Sequence, residues 1–220
     1  MLVVGVNVFE KQNIDYYNLV RKDALSILPK DVSFSAVLDL GCGEGYTLEY
    51  VKSHFGVQKT IGVEIHPEAA QSARQRVDVV LNQSAETILD LPEQSIDLIL
   101  CLDVLEHLYD PWQTLQRIKK VLKPGGRLLA SIPNIQHWRI IKMLMCGRWD
   151  YEKSGLLDET HLRFFTKLTA RELIANAGFE IEWVQVSMGI KARIVNVLTL
   201  ALLENFLTYH VYILAYLTRV

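Results

Sequence analysis

The stretch LDLGCGEGYTLEYV, residues 38–51, decides the fold. An apolar run with one aspartate leads into three glycines within five residues, and apolar residues at helical spacing follow. Glycine weakens both strands and helices, so such a cluster at a strand-to-helix junction indicates a ligand that comes close to the backbone. The pattern predicts a strand at Ala36–Leu40, a helix at Tyr46–Phe55 that ends at Gly56, and a ligand at the loop between them.

The alternation of strand and helix continues to residue 132. Apolar strands are predicted at Thr60–Ile65, Val77–Leu81, Ser95–Leu102 and Arg127–Ile132, and helices at 15–28, Pro67–Arg76 and Pro111–Leu122, with a turn at Lys123–Gly126. Because the strands are almost wholly apolar, they indicate a parallel sheet covered by helices on both faces. Ligands bind such sheets beyond the carboxyl ends of the strands, so we expect the functional residues there.

The pattern changes after the fifth strand. Residues 134–166 mix aromatic and charged side chains, and we interpret them as an insertion over the open edge of the sheet. Thr169 then begins a capping box, which predicts a helix from there to Ala177. The last predicted elements are a strand at Glu180–Ser187, a helix at Ile190–Leu203 and a strand at Phe206–Leu217.

These elements predict a single α/β domain over residues 1–220, with an N-terminal helical cap at 1–35. The expected fold is Rossmann-like, a seven-stranded, mostly parallel sheet with helices on both faces and an antiparallel C-terminal edge strand. The apolar tail at 194–220 has no uncharged run of the roughly 18 residues that span a membrane. We interpret it as a core helix followed by a buried strand, and contact with a membrane surface is the alternative.

Composition narrows the function classes. The formal net charge is −2, which argues against a dedicated nucleic-acid binder. Cys42, Cys101 and Cys146 have no metal-site spacing. Such cysteines are typical of reduced thiols in a cytoplasmic protein.

The glycine loop departs from the dinucleotide-binding pattern. Gly41, Gly43 and Gly45 give the spacing G-x-G-x-G, and Tyr46 occupies the position where that fingerprint has its third glycine. A bulky residue there disfavours the tight pyrophosphate fit of a nicotinamide enzyme. Asp39 would repel pyrophosphate but suits a cationic ligand such as S-adenosylmethionine, which carries an ammonium and a sulfonium. We expect loop amides to face this ligand at the start of the helix.

An acidic residue also ends the second strand. Glu64 lies 19 residues after Gly45. A carboxylate at this place can accept hydrogen bonds from both hydroxyls of a ribose. Ile65 would then pack against the adenine.

Several segments resemble a known family. VLDLGCGEG, IGVEI, LCLDVLEHL and LKPGGRLLASIPN, in this order, resemble the successive motifs of class I S-adenosylmethionine-dependent methyltransferases. The resemblance runs from about Tyr16 to Ser187. GLLDETHLRFFT, followed by a helix and AGF, is similar to bacterial methyltransferases associated with polysaccharide, glycolipid or quinone biosynthesis.

The resemblance implies S-adenosyl-L-methionine as the cofactor and assigns residues to it. The family places the methionine end at the glycine loop, the ribose at the acid after strand two and the reacting methyl group after strand four. Ser84 stands where the family often has an aspartate for the adenine, and the Ala85 amide is the second adenine contact. The implied cofactor residues are Asp39, Gly41, Cys42, Gly43, Gly45, Glu64, Ile65, Ser84, Ala85, Leu102 and Asp103.

A methyltransferase needs a base to remove the proton of its acceptor. The predicted catalytic residues are His107 and His161, because histidine titrates in the right range. Each has a structural alternative: His107 supports the loop after strand four, and His161 with Arg163 attaches the insertion to the sheet. Glu106 and His107 are adjacent and should diverge on a helix, so we predict no metal. Weaker polar candidates are Tyr16, Tyr17, Asn134, His137 and Asp158.

The sequence therefore predicts a methyltransferase that acts at oxygen on a small-molecule, glycan or lipid-linked acceptor, with no nucleic-acid partner. Residues 102–105 read Leu-Asp-Val-Leu, where amino-group nucleic-acid methyltransferases have an NPPY-type stretch. Two alternatives stay open. One is a cofactor-binding partner or regulatory protein with little catalysis, and the other is a nicotinamide oxidoreductase.

Overall fold

The computed structural model describes residues 19–87 and 91–218. One seven-stranded sheet has the order β3-β2-β1-β4-β5-β7-β6. Strands β1 to β5 are mutually parallel, and β7 runs antiparallel between β5 and β6. The strands are β1 (Ala36–Leu40), β2 (Lys59–Val63), β3 (Val79–Leu81), β4 (Ile96–Leu102), β5 (Leu122–Pro133), β6 (Glu180–Ser187) and β7 (His210–Tyr216).

Helices cover both faces of the sheet. They are α1 (Lys22–Leu25), α2 (Tyr46–Phe55), α3 (Pro67–Ala73), α4 (Pro111–Val121), α5 (Trp138–Met145), α6 (Lys167–Asn176), α7 (Ile190–Leu198) and α8 (Glu204–Leu207), with 3-10 turns at Ala85–Thr87 and Leu105–His107. Successive β1 residues enter opposite hydrophobic clusters. Val37 packs in the cluster of Leu48 on α2, whereas Leu38 packs in the cluster of Leu115 on α4. The predicted Rossmann-like, mostly parallel sheet is therefore confirmed.

The C-terminal strand β7 is antiparallel as predicted, but it does not form the edge, because it lies between β5 and the edge strand β6. The reason lies in the two sequences. Val211 to Ala215 in β7 are all buried, whereas Glu180, Glu182 and Trp183 of β6 are exposed. A wholly apolar strand gains most inside the sheet, and charged side chains suit an edge.

Several predicted bounds are confirmed and others shift. The structure has β1, α2 and β6 at the predicted residues. The first helix is shorter than predicted, because only Lys22–Leu25 is helical among its described residues; residues 15–18 lie outside them. The predicted turn at Lys123–Gly126 is instead the start of β5. Leu217 holds this segment in the sheet by two hydrogen bonds. The Gly125 amide donates to the Leu217 carbonyl, and the Leu217 amide donates to the Gly126 carbonyl.

The capping box of α6 lies three residues earlier than predicted. Thr166 is the N-cap, and its hydroxyl accepts a hydrogen bond from the Thr169 amide at 3.2 Å. The Thr169 hydroxyl accepts one from the Thr166 amide at 2.9 Å. The N3 residue of the capping box is therefore Thr169, whereas the sequence predicted Thr169 at the N-cap and Glu172 at N3.

The prediction of a core helix in the C-terminal tail is wrong. The helix ends at Leu198, and Leu200 and Ala201 have positive φ angles of 51° and 62°. None of the α7 residues is buried. The buried strand that should follow is confirmed as β7. No helix in the described residues is long and apolar enough to cross a membrane.

Candidate active site

The carboxyl ends of β3, β2, β1 and β4 lie side by side, because these four strands are parallel neighbours. Strands β2 and β3 lie on one side of β1, and β4 and β5 lie on the other. The strand order therefore reverses beside β1. Ligands bind parallel sheets at such a switch point. The residues that follow these strands include Gly41, Glu64, Ser84 and Asp103, which the sequence assigned to one site.

The three loop glycines have backbone angles that favour glycine. The φ angles of Gly41, Gly43 and Gly45 are 69°, 54° and 86°. A Cβ atom at Gly41 would lie 2.7 Å from Val104 Cγ2, and one at Gly45 would lie 2.7 Å from Val77 Cγ2. Both the left-handed backbone and the close neighbours therefore require glycine at these two positions.

The expectation that the loop amides face a ligand is wrong for four of them. The amides of Gly41 and Cys42 donate to the Val63 carbonyl at 2.8 and 3.0 Å. The Gly43 amide donates to the Glu64 carboxylate at 2.9 Å, and the Gly45 amide donates to the Cys42 carbonyl at 3.0 Å. These groups are thus unavailable to cradle a phosphate, which argues against the alternative of a dinucleotide-binding oxidoreductase.

Two buried carboxyl groups give this site an acidic character. Asp39 and Glu64 are 3% and 4% exposed. Burial and the charge of Glu64 raise the pKa of Asp39 well above its usual value, and the charge of Arg21 opposes this shift. A cation placed beside Asp39 would stabilise its ionised form and reduce the repulsion between the two acids.

The Glu64 carboxylate is fixed but not saturated. Its Oε2 accepts from Gly43, and its Oε1 accepts from the His66 amide at 2.8 Å. A carboxylate has about four acceptor positions, so two described bonds leave room for hydroxyl groups. Ile65, directly beside it, is 59% exposed and offers an apolar surface at the rim of the site.

The other assigned residues differ in how available they are. The Ser84 hydroxyl accepts from the Glu86 amide at 3.2 Å, and the buried Ala85 begins the 3-10 turn after β3. Leu102 is buried at the end of β4. Burial raises the pKa of the Cys42 thiol, so this thiol is a packing group and not a nucleophile.

Asp103 is the centre of a polar network that the sequence interpretation did not find. It has a φ of 56°, and such strain in a non-glycine residue is common at functional sites. Its carboxylate accepts hydrogen bonds from Arg21 and Ser131, and His210 Nε2 lies 3.5 Å from its Oδ1. Arg21 belongs to no recognised motif, and His210 is the first residue of β7. Only the fold brings these two residues to Asp103. Ser131 lies in the quoted motif at the end of β5 and could have been found.

A second group of ionisable side chains lies after β4. Glu106, His107 and His161 place one potential ligand atom each within 4.8 Å of the others. The rings of the two histidines are 4.7 Å apart and meet edge to face. Residues 106 and 107 were expected to diverge, and that expectation is wrong, because the backbone there is a 3-10 turn and both side chains reach His161.

Backbone hydrogen bonds bring the two parts of this cluster together. The amides of Leu162 and Arg163 both donate to the Glu106 carbonyl at 2.9 Å. The Arg163 side chain donates from Nε to the Tyr109 carbonyl at 3.1 Å, which attaches the insertion in the same place. The chain around His161 is therefore fixed to the end of β4.

Burial shifts the pKa of each residue in this cluster toward its uncharged form. Glu106 is 1% exposed, and neither of its carboxyl oxygens has a hydrogen-bond partner among the described residues. Its burial and the charge of Asp103 raise the pKa of Glu106 well above its usual value. Burial lowers the pKa of His107, and burial together with His107 lowers that of His161 to about 4. Both imidazoles are thus neutral, while the raised pKa of Glu106 favours its protonated form.

The orientation of each imidazole suits proton acceptance. His107 Nδ1 lies 3.2 Å from the Thr160 carbonyl, and His161 Nδ1 lies 3.3 Å from the Leu156 carbonyl. When Nδ1 carries the hydrogen, Nε2 is left with a lone pair. The same donor types also suit a transition metal, so the absence of a metal stays a prediction.

The weaker candidates have local structural roles. The Asn134 side chain donates from Nδ2 to the Asn205 and Thr208 carbonyls. The His137 ring accepts from the Arg139 backbone amide at the start of α5, and the Asp158 carboxylate accepts from the Thr160 backbone amide. Tyr16 and Tyr17 lie outside the described residues. The remaining candidate bases are therefore the two histidines of the cluster.

Comparisons with known proteins agree with this geometry. The family described as "Methyltransferase domain" matches residues 12–184. A Mycolicibacterium smegmatis protein named "Probable S-adenosylmethionine-dependent methyltransferase" is 32% identical over 149 residues, which cover 66% of this chain and 52% of that protein. A ubiquinone biosynthesis O-methyltransferase of Xanthomonas oryzae pv. oryzae is 32% identical over 123 residues, covering 53% of this chain and 50% of its own.

The fold has solved counterparts. The crystal structure of an S-adenosylmethionine-dependent methyltransferase from Mesorhizobium loti aligns with a TM-score of 0.65 at 20% identity, over 89% of this chain and 96% of that one. At this identity the match concerns the fold. Among the curated relatives, the aligned region spans about half the length of the two proteins named above.

We expect Gly45→Ala to destabilise the protein more than Gly56→Ala. Both residues have positive φ, which costs about 1–2 kcal/mol for alanine. Only Gly45 has a neighbour that a Cβ would strike, which adds about 1–3 kcal/mol of overpacking. Urea unfolding of both variants measures the difference, and equal losses would contradict the steric account.

We expect Glu106→Gln to gain stability relative to the wild type as pH rises. The folded pKa of Glu106 is raised, so above about pH 4.5 the unfolded wild type loses a proton that the folded state keeps. Its free energy of unfolding then falls by about 1.4 kcal/mol per pH unit until the folded pKa is reached, and glutamine lacks this loss. Urea unfolding across pH tests this. Leu115→Ala, at a buried apolar site, is the control, and its difference from the wild type in free energy of unfolding should not depend on pH. A difference for Glu106→Gln that is equally independent of pH would contradict the account.

Proposed function

Because this chain belongs to the family of S-adenosylmethionine-dependent methyltransferase domains, we propose that it methylates a hydroxyl oxygen of a small-molecule, glycan or lipid-linked acceptor. The observation that carries the proposal is the pairing of two sites at one edge of the sheet. The buried acids Asp39 and Glu64 form one, and the cluster of Glu106, His107 and His161 forms the other. Asp103 lies between them in sequence, and its charge acts on all three cluster residues.

The residues present fit the cofactor that the family uses. When bound, S-adenosyl-L-methionine supplies a methyl group on a positively charged sulfur. Asp39 provides a negative environment for the cationic end, and Glu64 has acceptor positions for the ribose hydroxyls. Gly41, Gly43 and Gly45 allow the close backbone turn, and Ile65 with Ser84 and Ala85 forms the adenine side. This assignment rests on the position of each residue after its strand.

The cluster supports transfer to oxygen. A hydroxyl acceptor must lose its proton as the new bond forms, and a neutral imidazole with a free Nε2 can take that proton. His161 and His107 both meet this requirement. Their lowered pKa values keep them unprotonated at neutral pH. The Glu106 carboxyl, which has no hydrogen-bond partner in residues 19–87 and 91–218, lies beside them and can exchange a proton with them.

The acceptor class follows from charge and from the relatives. A net charge of −2 and the absence of an NPPY-type stretch argue against nucleic acid. The ubiquinone biosynthesis O-methyltransferase among the relatives supports an oxygen acceptor on a small or lipid-linked molecule. Cys42, Cys101 and Cys146 are unpaired, which supports a cytoplasmic location.

We expect Asp39→Asn and Glu64→Gln each to weaken S-adenosylmethionine binding at least tenfold. Glu64→Gln removes a buried carboxylate acceptor, and Asp39→Asn removes the carboxyl group whose ionised form the cationic ligand stabilises. A hydrogen bond to a charged group contributes about 1.5–3 kcal/mol. Calorimetric titration measures the affinity. Glu182→Gln, on the outermost strand β6, is the control and should bind like the wild type. Wild-type affinity in both site variants would refute the assignment.

We expect His161→Gln and His107→Gln to lower kcat by about 10²–10⁴ for the residue that acts as the base, with cofactor affinity unchanged. The assay follows release of the demethylated cofactor with a catechol, a sugar and a prenylated phenol as acceptors. His54→Gln on α2 is the control. Dialysis against EDTA should not change the rate. If dialysis against EDTA lowered the rate and divalent ions restored it, the prediction of a metal-free base would be contradicted. Unchanged turnover in both histidine variants would contradict the assignment of the base.

A further inference from the structure

Helix α7 and the turn after it expose apolar side chains to a degree that a core helix would not. Ile190, Val197 and Leu198 are 79%, 74% and 77% exposed, and Leu200 and Leu202 are more exposed still. Single exposed apolar residues are ordinary, but a contiguous group marks a surface that binds something. The positive φ of Leu200 also holds this apolar side chain in a strained exposed turn.

Helix α5 extends the same surface. Trp138 lines one shallow cavity with Ile190, Lys191, Val195 and Leu207. It also lines a second cavity, in which three basic residues, Arg139, Lys142 and Arg148, accompany one acid, Asp150. Leu144 and Met145, at the end of α5, are 48% and 84% exposed. Residues 138–148 and 190–202 therefore form one continuous surface, called the α5–α7 surface below.

Charge indicates what this surface binds. The segments 137–149 and 188–203 contain Arg139, Lys142, Arg148, Lys191 and Arg193 but no acidic residue. Arg148 is paired with Asp150, and Arg139 lies 3.7 Å from Glu152. Within residues 19–87 and 91–218, Lys142, Lys191 and Arg193 have no ion pair. A protein with a net charge of −2 thus concentrates cations around its exposed apolar side chains.

We propose that the α5–α7 surface binds the surface of an anionic lipid bilayer. An amphipathic helix that lies in the plane of a membrane buries apolar side chains at the headgroup boundary and places lysine and arginine against the phosphates. Trp138 is suited to that boundary because its ring is apolar and its N–H is polar. No described helix can cross the bilayer, so the contact is peripheral.

A second copy of this chain is the less favourable occupant. A two-fold symmetric contact would bring Lys142, Lys191 and Arg193 of both copies together, while the acids at this surface, Asp150 and Glu152, already lie beside Arg148 and Arg139. Anionic lipid supplies both an apolar phase and the opposite charge. The charge pattern therefore selects the membrane.

The position of the surface relates it to the active site. Helix α5 follows the carboxyl end of β5, and α7 follows the carboxyl end of β6, which is parallel to β5. Both ends lie at the edge of the sheet where Asp103 and the histidine cluster are found. Lipid binding itself does not depend on the proposed function. If that function holds, a membrane at this edge favours a lipid-linked acceptor.

Vesicle sedimentation tests the proposal. The chain is mixed with phosphatidylcholine vesicles that contain or lack phosphatidylglycerol. The wild type should sediment with the anionic vesicles and much less with the neutral ones. Val197→Ser with Leu198→Ser should lower the partition coefficient at least tenfold, and Lys191→Gln with Arg193→Gln should lower it roughly fivefold for each cation removed.

The controls separate this outcome from misfolding and from self-association. Leu168→Ser with Arg171→Gln removes an exposed apolar and an exposed basic residue from α6 and should bind like the wild type. All changed side chains are exposed, so circular dichroism spectra should match. Failure of the wild type to bind anionic vesicles at low salt would overturn the proposal. A dimer in sedimentation equilibrium that the Val197 and Leu198 changes dissociate would also overturn it. Cofactor affinity of the same variants is measured in parallel, so failure of lipid binding is distinguishable from failure of the proposed function.

Discussion

The buried acid pair Asp39 and Glu64 is the constraint on which the rest of the site depends. Two carboxyl groups at the end of a hydrophobic sheet lose hydration and repel each other. The structure shows a consequence at each of them. The Glu64 carboxylate is held by two amides, and the pKa of Asp39 is raised. A cationic ligand relieves this situation, whereas a pyrophosphate would aggravate it. The hydrogen bonds of the Gly41, Cys42, Gly43 and Gly45 amides add to the same preference, because these four groups donate within the protein and not to an anion.

The second half of the site comes from chain segments that are far apart in sequence. The Glu106 carbonyl accepts two amides from residues 162 and 163, which brings His161 beside His107. Asp103 is held by Arg21, Ser131 and His210 from three other elements. The acid pair and the cluster of Glu106, His107 and His161 are thus parts of one polar region, built where Asp103, with its positive φ, follows β4.

The sequence predicted what local pattern determines. The apolar run before the glycines and the helical spacing after them gave β1 and α2 at the right residues, and the resemblance to methyltransferases was confirmed by the matching family. The exposure of α7 could not be predicted, since Ile, Val and Leu at helical spacing look alike in a core helix and in an exposed one. The cluster of Glu106 with His161 depends on contact across 55 positions and on a 3-10 turn, which no local spacing encodes. The network of Arg21 and His210 was missed for the same reason.

The measurement that tests the central claim most directly is the pH dependence of S-adenosylmethionine binding, followed by calorimetry in two buffers with different ionisation enthalpies. If the cofactor's positive charge binds beside Asp39, binding lowers the pKa of that carboxyl and releases protons. The affinity should then increase with pH up to the raised pKa of Asp39, and Asp39→Asn should abolish both effects. Binding by the wild type that is independent of pH and releases no protons would contradict the account.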